Sequence, residues 1–447
     1  MVYSRRKFLT LSGQALALGS LAYALDPRLL MAQSISAGTG KNVIVVNLLG
    51  GCDGLAAYPY YEGSLADIVR NELRPTIYVP LGSVIPIANQ SGAANKIGLN
   101  PALAPLANVA GSHIKLIQNY GIPGDPGRSH DTCQVLMSMG LTHIQGAEMV
   151  GFMARLMDSQ NWESFQYWAL SITNPSDVNT VKKPPVMLTD LGSFDYQQVA
   201  WESEDDLGQA IQIQRELVQA QVARSNIGNR YLTSLGSMHN ALATVRRDIS
   251  SQSVGNNSAG NYSEGGLGPN FRDAAKILKA KVTSSAFGQQ DKDTLLLLAQ
   301  GGYDTHSDQN AVGADSGALA NSLGDLASNL AVFYKDLEGF GALNNTVIVL
   351  YSEFGRTLYE NGTNGETTVG TDHGHGNHTM VIGGAVSAGV LGHTPGSSEL
   401  RDNDYNALVP STDFRDIFSD ILVWLGVGPS SIFTENGYTH SELGIFS

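Results

Sequence analysis

Short apolar runs punctuate the chain, and each gives way to glycine or to a polar cluster. Asn42–Leu49 (NVIVVNLL), His113–Tyr120, Thr294–Gln300 (TLLLLAQ), Thr346–Tyr351 and Thr379–Ile382 have the length and aliphatic bias of buried strands. Weaker strand patterns lie at Tyr167–Ile172 and Val186–Leu188. Helical spacing appears where Leu319, Leu323, Leu326, Leu330, Phe333, Leu337 and Phe340 share one face, and again over Phe414–Leu425. Thr132–Met139 also reads as a helix, with Ser129 placed as its N-cap and Asp131 near its positive end. Strand 294–300, the long helix and strand 346–351 form a βαβ unit, which predicts a parallel sheet. The expected fold class is therefore α/β with a mostly parallel central sheet. A helical insertion is expected at about residues 205–285, where Leu235, Met238, Leu242, Val245 and Ile249 alternate by three and four. Within it the Gly/Ser/Asn-rich stretch Ser251–Asn270 reads as a flexible loop.

The polar clusters after these runs carry the candidate chemistry. They hold Asp53, Arg128-Ser129-His130-Asp131, Asp304 with His306, and Glu353 with Arg356. In an open parallel sheet, ligands gather at the carboxyl ends of strands, so topology would bring these groups together. Asp372, His373, His375 and His378 follow within seven positions in a Gly-rich loop. Carboxylates packed into one cleft repel unless a cation lies between them, and imidazoles add nitrogen donors. One or two divalent ions are thus expected, with Zn, Mn, Mg and Ca all compatible. The candidate ligands are Asp53, Asp304, His306, Asp372, His373 and His378, with Glu353 next. His375 is either a ligand or a group behind one, since one ring of an H-x-H pair often points away. The paired glycines of GGCDG and GGYDT would let backbone approach an ion or ester closely.

Ser129 has two readings, a helix cap or a nucleophile at the positive end of a helix beside a metal. Thr132 is the second choice of nucleophile, and His130 belongs to the same candidate catalytic set. Arg128 and Arg356 can hold an oxyanion in a bidentate fork, although Arg356 serves equally well as the partner of a neighbouring carboxylate.

Composition narrows the partners. The 447 residues carry a formal net charge of −14, which argues against nucleic acid. Charged residues make up 15% and glycine contributes 50 positions, as in a loop-rich secreted protein. Ser4-Arg5-Arg6-Lys7-Phe8-Leu9 reads as a twin-arginine export signal, so the translocase is an expected partner and the periplasm or exterior the expected location. The apolar run Phe8–Leu25 contains Gly13, Gln14, Gly19 and Ser20, too weak for a stable membrane anchor. Residues 1–36 are expected to form the leader and 37–447 a single domain. Cys52 and Cys133 leave open either a single bridge or two buried thiols.

The leader, GG-x-DG, R-S-H, GG-x-D-T-H, SEFGRT and GTDHGHG together resemble the bacterial family catalogued as domain of unknown function 1501. That family is similar to the alkaline phosphatase and sulfatase superfamily, and the resemblance spans nearly the whole chain. It implies an alkaline-phosphatase-like three-layer sandwich that hydrolyses phosphate or sulfate esters at one or two metal ions. It implies a metal aspartate at Asp53, a nucleophile at Ser129, ligands at Asp304 with His306 and Asp372 with His373, and a final histidine at His378. The chain departs from the superfamily pattern in lacking a C/S-x-P/A-x-R motif. Asp304 and His306 are also closer together than usual, and Glu353 stands where an Asp-His pair is expected. The expected function is an exported metal-dependent hydrolase acting on a small anionic ester or a sulfated or phosphorylated polymer. The alternatives are a non-catalytic surface or assembly protein that keeps the fold and a structural metal, and a metal-dependent transferase.

Overall fold

The computed structural model describes residues 40–144, 150–160, 165–172, 174–180, 185–187, 191, 245, 247–284, 290–309, 316–362, 368–401 and 405–446. The expected leader and residues 205–244 of the expected insertion lie outside the described residues. The strands are β1 (Asn42–Leu48), β2 (Tyr60–Glu62), β3 (Ile85–Pro86), β4 (Lys96–Leu99), β5 (Ile114–Gly121) and β6 (Phe165–Ala169), followed by β7 (Val186–Met187), β8 (Asp293–Gln300), β9 (Thr346–Tyr351), β10 (Asn377–Gly383), β11 (Gly389–Gly392) and β12 (Thr412–Asp413). A nine-stranded sheet has the order β11-β5-β10-β9-β1-β8-β6-β7, with β12 added beside β5, and β2-β4-β3 form a small separate sheet.

Strand β1 pairs in parallel with both β8 and β9, so Asn42 faces Thr294 on one side and Thr346 on the other. The large sheet is mostly parallel, as the βαβ spacing predicts. Among its described strands only β10 runs against its neighbours, pairing antiparallel with β5 and β9. This reversal brings the start of β10 to the rim where β1, β5, β8 and β9 end. The histidine loop leads directly into that start, which is how it reaches the acids at the strand ends.

Alternation along the strands feeds two cores. Ile44, Val46, Leu296, Leu298, Ile348 and Leu350 face helices Ala104–Ala110, Gly268–Thr283 and Ala318–Gly339. Val43, Val45, Leu295, Leu297, Val347 and Val349 face helices His130–Met139, Phe152–Ser159 and Phe414–Leu425. A sheet covered on both faces explains why its strands read as unbroken apolar runs rather than alternating ones. The result is helix, sheet and helix in three layers.

The stretch after Ile249 corrects one expectation. Rather than hanging free, it is fastened to helix Ala318–Gly339, since Gly255 N–H, Asn257 and the Tyr262 hydroxyl all donate to Asp336. Ser263 N–H donates to Asn329, and Leu267 N–H to Asp325. Small polar residues suit this task because their short side chains let backbone amides reach the carboxylates. No helix among the described residues is long and apolar enough to cross a membrane.

Leu296 is fully buried in the centre of the sheet. Leu296→Ala is therefore expected to lower stability by about 2–5 kcal/mol through lost transfer energy and a cavity. Denaturant titration should show a lower midpoint with an unchanged slope.

Candidate metal centre

The rim is built from two adjoining glycine turns and a pair of zipped loops. After β1 and β8, Leu49 N–H donates to Gln300 O at 2.8 Å and Tyr303 N–H to Leu49 O at 3.3 Å, so the two turns abut. Gly50 has φ +115°, and a Cβ there would lie 2.4 Å from the Asp304 nitrogen. Gly50 thus lets one turn pack closely on the other, and Gly51 makes room for the Phe354 ring. After β9, the segment Gly355–Thr357 runs beside Asp372–His375. Gly355 N–H donates to His375 O, Gly374 N–H to Gly355 O, and Thr357 N–H to Asp372 O, with Arg356 bridged to His373.

Three imidazoles converge on Asp304. His373 Nδ1 donates to Arg128 O at 2.8 Å, which leaves its Nε2 facing Asp304 Oδ1 at 3.2 Å. His306 Nδ1 lies 2.9 Å from Asp372 Oδ1, and its Nε2 is 3.1 Å from Asp304 Oδ1 and 3.0 Å from His373 Nε2. His130 Nδ1 lies 2.7 Å from Glu353 Oε1, and its Nε2 is 3.5 Å from Asp304 Oδ2 without a hydrogen bond between them. That Nε2 is buried and has no hydrogen-bond partner among the described residues. Each ring therefore spends Nδ1–H on an oxygen acceptor and turns Nε2 inward. Oriented rings of this kind are what metal-binding histidines require.

In the neutral tautomer with the proton on Nδ1, the Nε2 lone pairs face one another and a carboxylate and repel, and a cation among them removes the repulsion. The inward atoms of His130, Asp304 and His373 all lie within 4.8 Å of one another, so this group can hold a metal ion. The donor set, the outer acceptors and the orphaned His130 Nε2 all fit one. Partial burial works to raise the Asp304 carboxyl, but Arg356, His306 and His373 outweigh it and hold it below the usual carboxylate range. Asp372 is held low in the same way, with burial opposed by His306 and Asn361.

The other sequence candidates sit elsewhere. Asp53 is 1% exposed, and both its oxygens lie within 2.9 Å of the Arg74 guanidinium. It also caps helix Gly54–Ala57 by accepting from Leu55 and Ala56 N–H. Glu353 is buried and, besides His130, accepts from Gly50 N–H at 2.9 Å and Gln134 at 3.1 Å. It orients an imidazole and is not part of the convergent group. His375 is buried and donates from Nε2 to Ile122 O. His378 accepts from Asn119 N–H at Nδ1. Arg128 donates to His373 O and Tyr405 O and stacks over the Tyr405 ring at 4.0 Å. Arg356 is buried and donates to Gly50 O, Gly51 O, Tyr303 O, Thr371 O and Asp304. Neither arginine presents the open fork expected for an oxyanion.

Ser129 stands at the N-cap position of helix His130–Met139, yet its side chain makes no capping hydrogen bond. The residue is exposed and directly precedes His130. Cys52 and Cys133 are free, buried thiols, and burial pushes the Cys133 thiol up to about 12. Sequence reasoning did not single out Arg74 or Gln134. Nothing local marks either one, because their partners arrive from distant segments.

Residues 290–443 match the family model described as "Protein of unknown function (DUF1501)", the family that the motifs resemble. The match covers Asp304, His306, Glu353, Arg356 and the histidine loop, while Asp53, Arg74, Ser129 and His130 precede it. No curated protein matches the chain in sequence. Among solved structures, a protein of the alkaline phosphatase superfamily from Vibrio parahaemolyticus is 11% identical, with 92% of this chain and 75% of that one covered and a TM-score of 0.36. The lipoteichoic acid synthase LtaP from Listeria monocytogenes is 9% identical over 93% and 79% of the two chains, with a TM-score of 0.30. The PsFucS1 sulfatase from Pseudoalteromonas sp. is 12% identical over 92% and 72%, with a TM-score of 0.33. All three likenesses are distant.

Burial holds the His378 imidazole down at about 4, against an ordinary value of 6.5. The unfolded chain therefore takes up a proton first as pH falls. This residue's contribution to stability is complete above about pH 6.5 and declines until about pH 4. His378→Gln should flatten that part of the pH–stability curve, as measured by denaturant midpoints from pH 4 to 7. Glu353→Ala, which frees the His130 ring, should weaken metal binding about 10–100-fold in a competition titration.

Proposed function

We propose that the chain is a metal-dependent hydrolase of phosphate or sulfate esters, with Ser129 as its nucleophile. The observation that carries this reading is the convergence of His130, His306 and His373 on Asp304, each ring oriented from behind by an oxygen acceptor. A divalent ion held by these residues supplies Lewis-acid polarisation of an ester oxygen. Nitrogen-rich donors favour zinc or a similar transition metal over calcium or magnesium.

Ser129 precedes His130 directly, is exposed, and does not engage its hydroxyl in capping. Its Oγ would pass its proton to water and form the bond to phosphorus or sulfur as the bridging bond breaks, the alcohol portion would leave with a proton from water, and a further water would then cleave the Ser129 ester to release the inorganic anion. With both candidate arginines committed to carbonyls and Tyr405, the non-bridging oxygens fall to the free N–H groups of the first turn of helix His130–Met139. Export through the twin-arginine pathway, with a small anionic ester or a sulfated or phosphorylated polymer as substrate, belongs to the same proposal.

One observation favours a second reading. Arg356 is engaged on several carbonyls and Asp304, and both terminal nitrogens of Arg128 donate to carbonyls, which suits a non-catalytic exported protein that keeps the fold and a structural ion.

Elemental analysis, combined with a screen of aryl phosphate and sulfate esters, separates the two. The wild type should carry metal and turn over at least one ester class. Ser129→Ala should keep the metal and lose turnover by roughly 10³-fold or more, whereas His373→Ala should lose both. Bound metal without turnover would support the second reading, and turnover untouched by Ser129→Ala would reject the nucleophile.

A further inference from the structure

Asp53 and Asp304 follow matching glycine turns on neighbouring parallel strands, yet they are neutralised differently. Asp304 pairs with Arg356 through Oδ1 alone, its side chain is 48% exposed, and its Oδ2 faces the unpartnered His130 Nε2. Asp53 has no free oxygen. Its Oδ1 accepts from Arg74, Leu55 N–H and Ala56 N–H, and its Oδ2 from Arg74 at 2.8 Å and Gln309 at 2.5 Å. Arg74 is itself 1% exposed and donates from Nε to Leu358 O at 3.0 Å and from its other terminal nitrogen to Thr357 O at 2.6 Å.

We propose that the centre takes a single divalent ion, and that the Arg74 guanidinium permanently fills the second cation position, at Asp53. This inference rests on the metal reading above. A buried guanidinium in contact with both oxygens repels a further cation and leaves no lone pair directed at one. The nearest histidine candidate cannot compensate. His378 spends its Nδ1 lone pair on Asn119 N–H, so its other nitrogen bears the proton and offers no donor to a metal. The described residues thus offer no two-ion clamp for the attacking and leaving oxygens, and stabilisation of the two would fall to one ion and to protein groups.

The test is a count of ions on the full chain. Protein is saturated with zinc, desalted and measured by elemental analysis, as wild type, Asp53→Asn and Asp304→Asn. One equivalent is expected in the wild type and in Asp53→Asn, with loss of the ion in Asp304→Asn. Asp53→Asn should also lose thermal stability, because Arg74 is left uncompensated. If that variant fails to fold, Asp53→Asn combined with Arg74→Met removes both charges and should again hold one equivalent. Two equivalents in the wild type, or loss of an ion when Asp53 is neutralised, would overturn the single-ion centre while leaving the metal reading intact. No ion in the wild type would reject the metal reading and this inference together.

Discussion

A buried guanidinium holds the rim of the candidate site together. Arg356 donates to the carbonyls of Gly50, Gly51, Tyr303 and Thr371 and to the Asp304 carboxylate, so one side chain joins the ends of β1 and β8 to the histidine loop. Burying such a charge costs several kcal/mol unless its donors are satisfied, and here carbonyl dipoles and one carboxylate offset that cost. Arg74 repeats the device nearby, tying Asp53 to the Thr357 and Leu358 carbonyls. The segment Glu353–Leu358 is therefore held by two guanidiniums, its own Arg356 and Arg74. That constraint fixes where His373 and Asp304 can stand, and hence whether the imidazoles converge at all.

Much of the scaffold was legible in the sequence because burial on both faces writes itself as continuous apolar runs. Strand Thr346–Tyr351 and helix Phe414–Leu425 appear with the bounds their patterns predict. The direction of β10 was not legible, since an antiparallel strand in the middle of a buried sheet carries the same apolar run as a parallel one. That direction matters here, because it turns the histidine loop toward the acids.

The site was legible as a set of residue types and less so as a geometry. Spacing within an irregular loop does not fix where a ring points. His373 turns into the cluster, whereas His375, two residues on, donates to Ile122 O inside the protein. The two aspartates after glycine turns look alike in sequence, and only the arrival of Arg74 separates a sealed ion pair from a carboxylate left half-exposed. His130 read as part of a catalytic group beside Ser129. Its inward Nε2 instead follows from Glu353, which reaches it from the end of a distant strand.

The central claim is that distant imidazoles meet around a cation beside Asp304. X-ray absorption at the metal edge of the purified, metal-loaded protein tests it most directly. A first shell dominated by nitrogen is expected, with the outer scattering of several imidazole rings that fades in His373→Ala. A shell of oxygen alone, or one unchanged by that substitution, would contradict it.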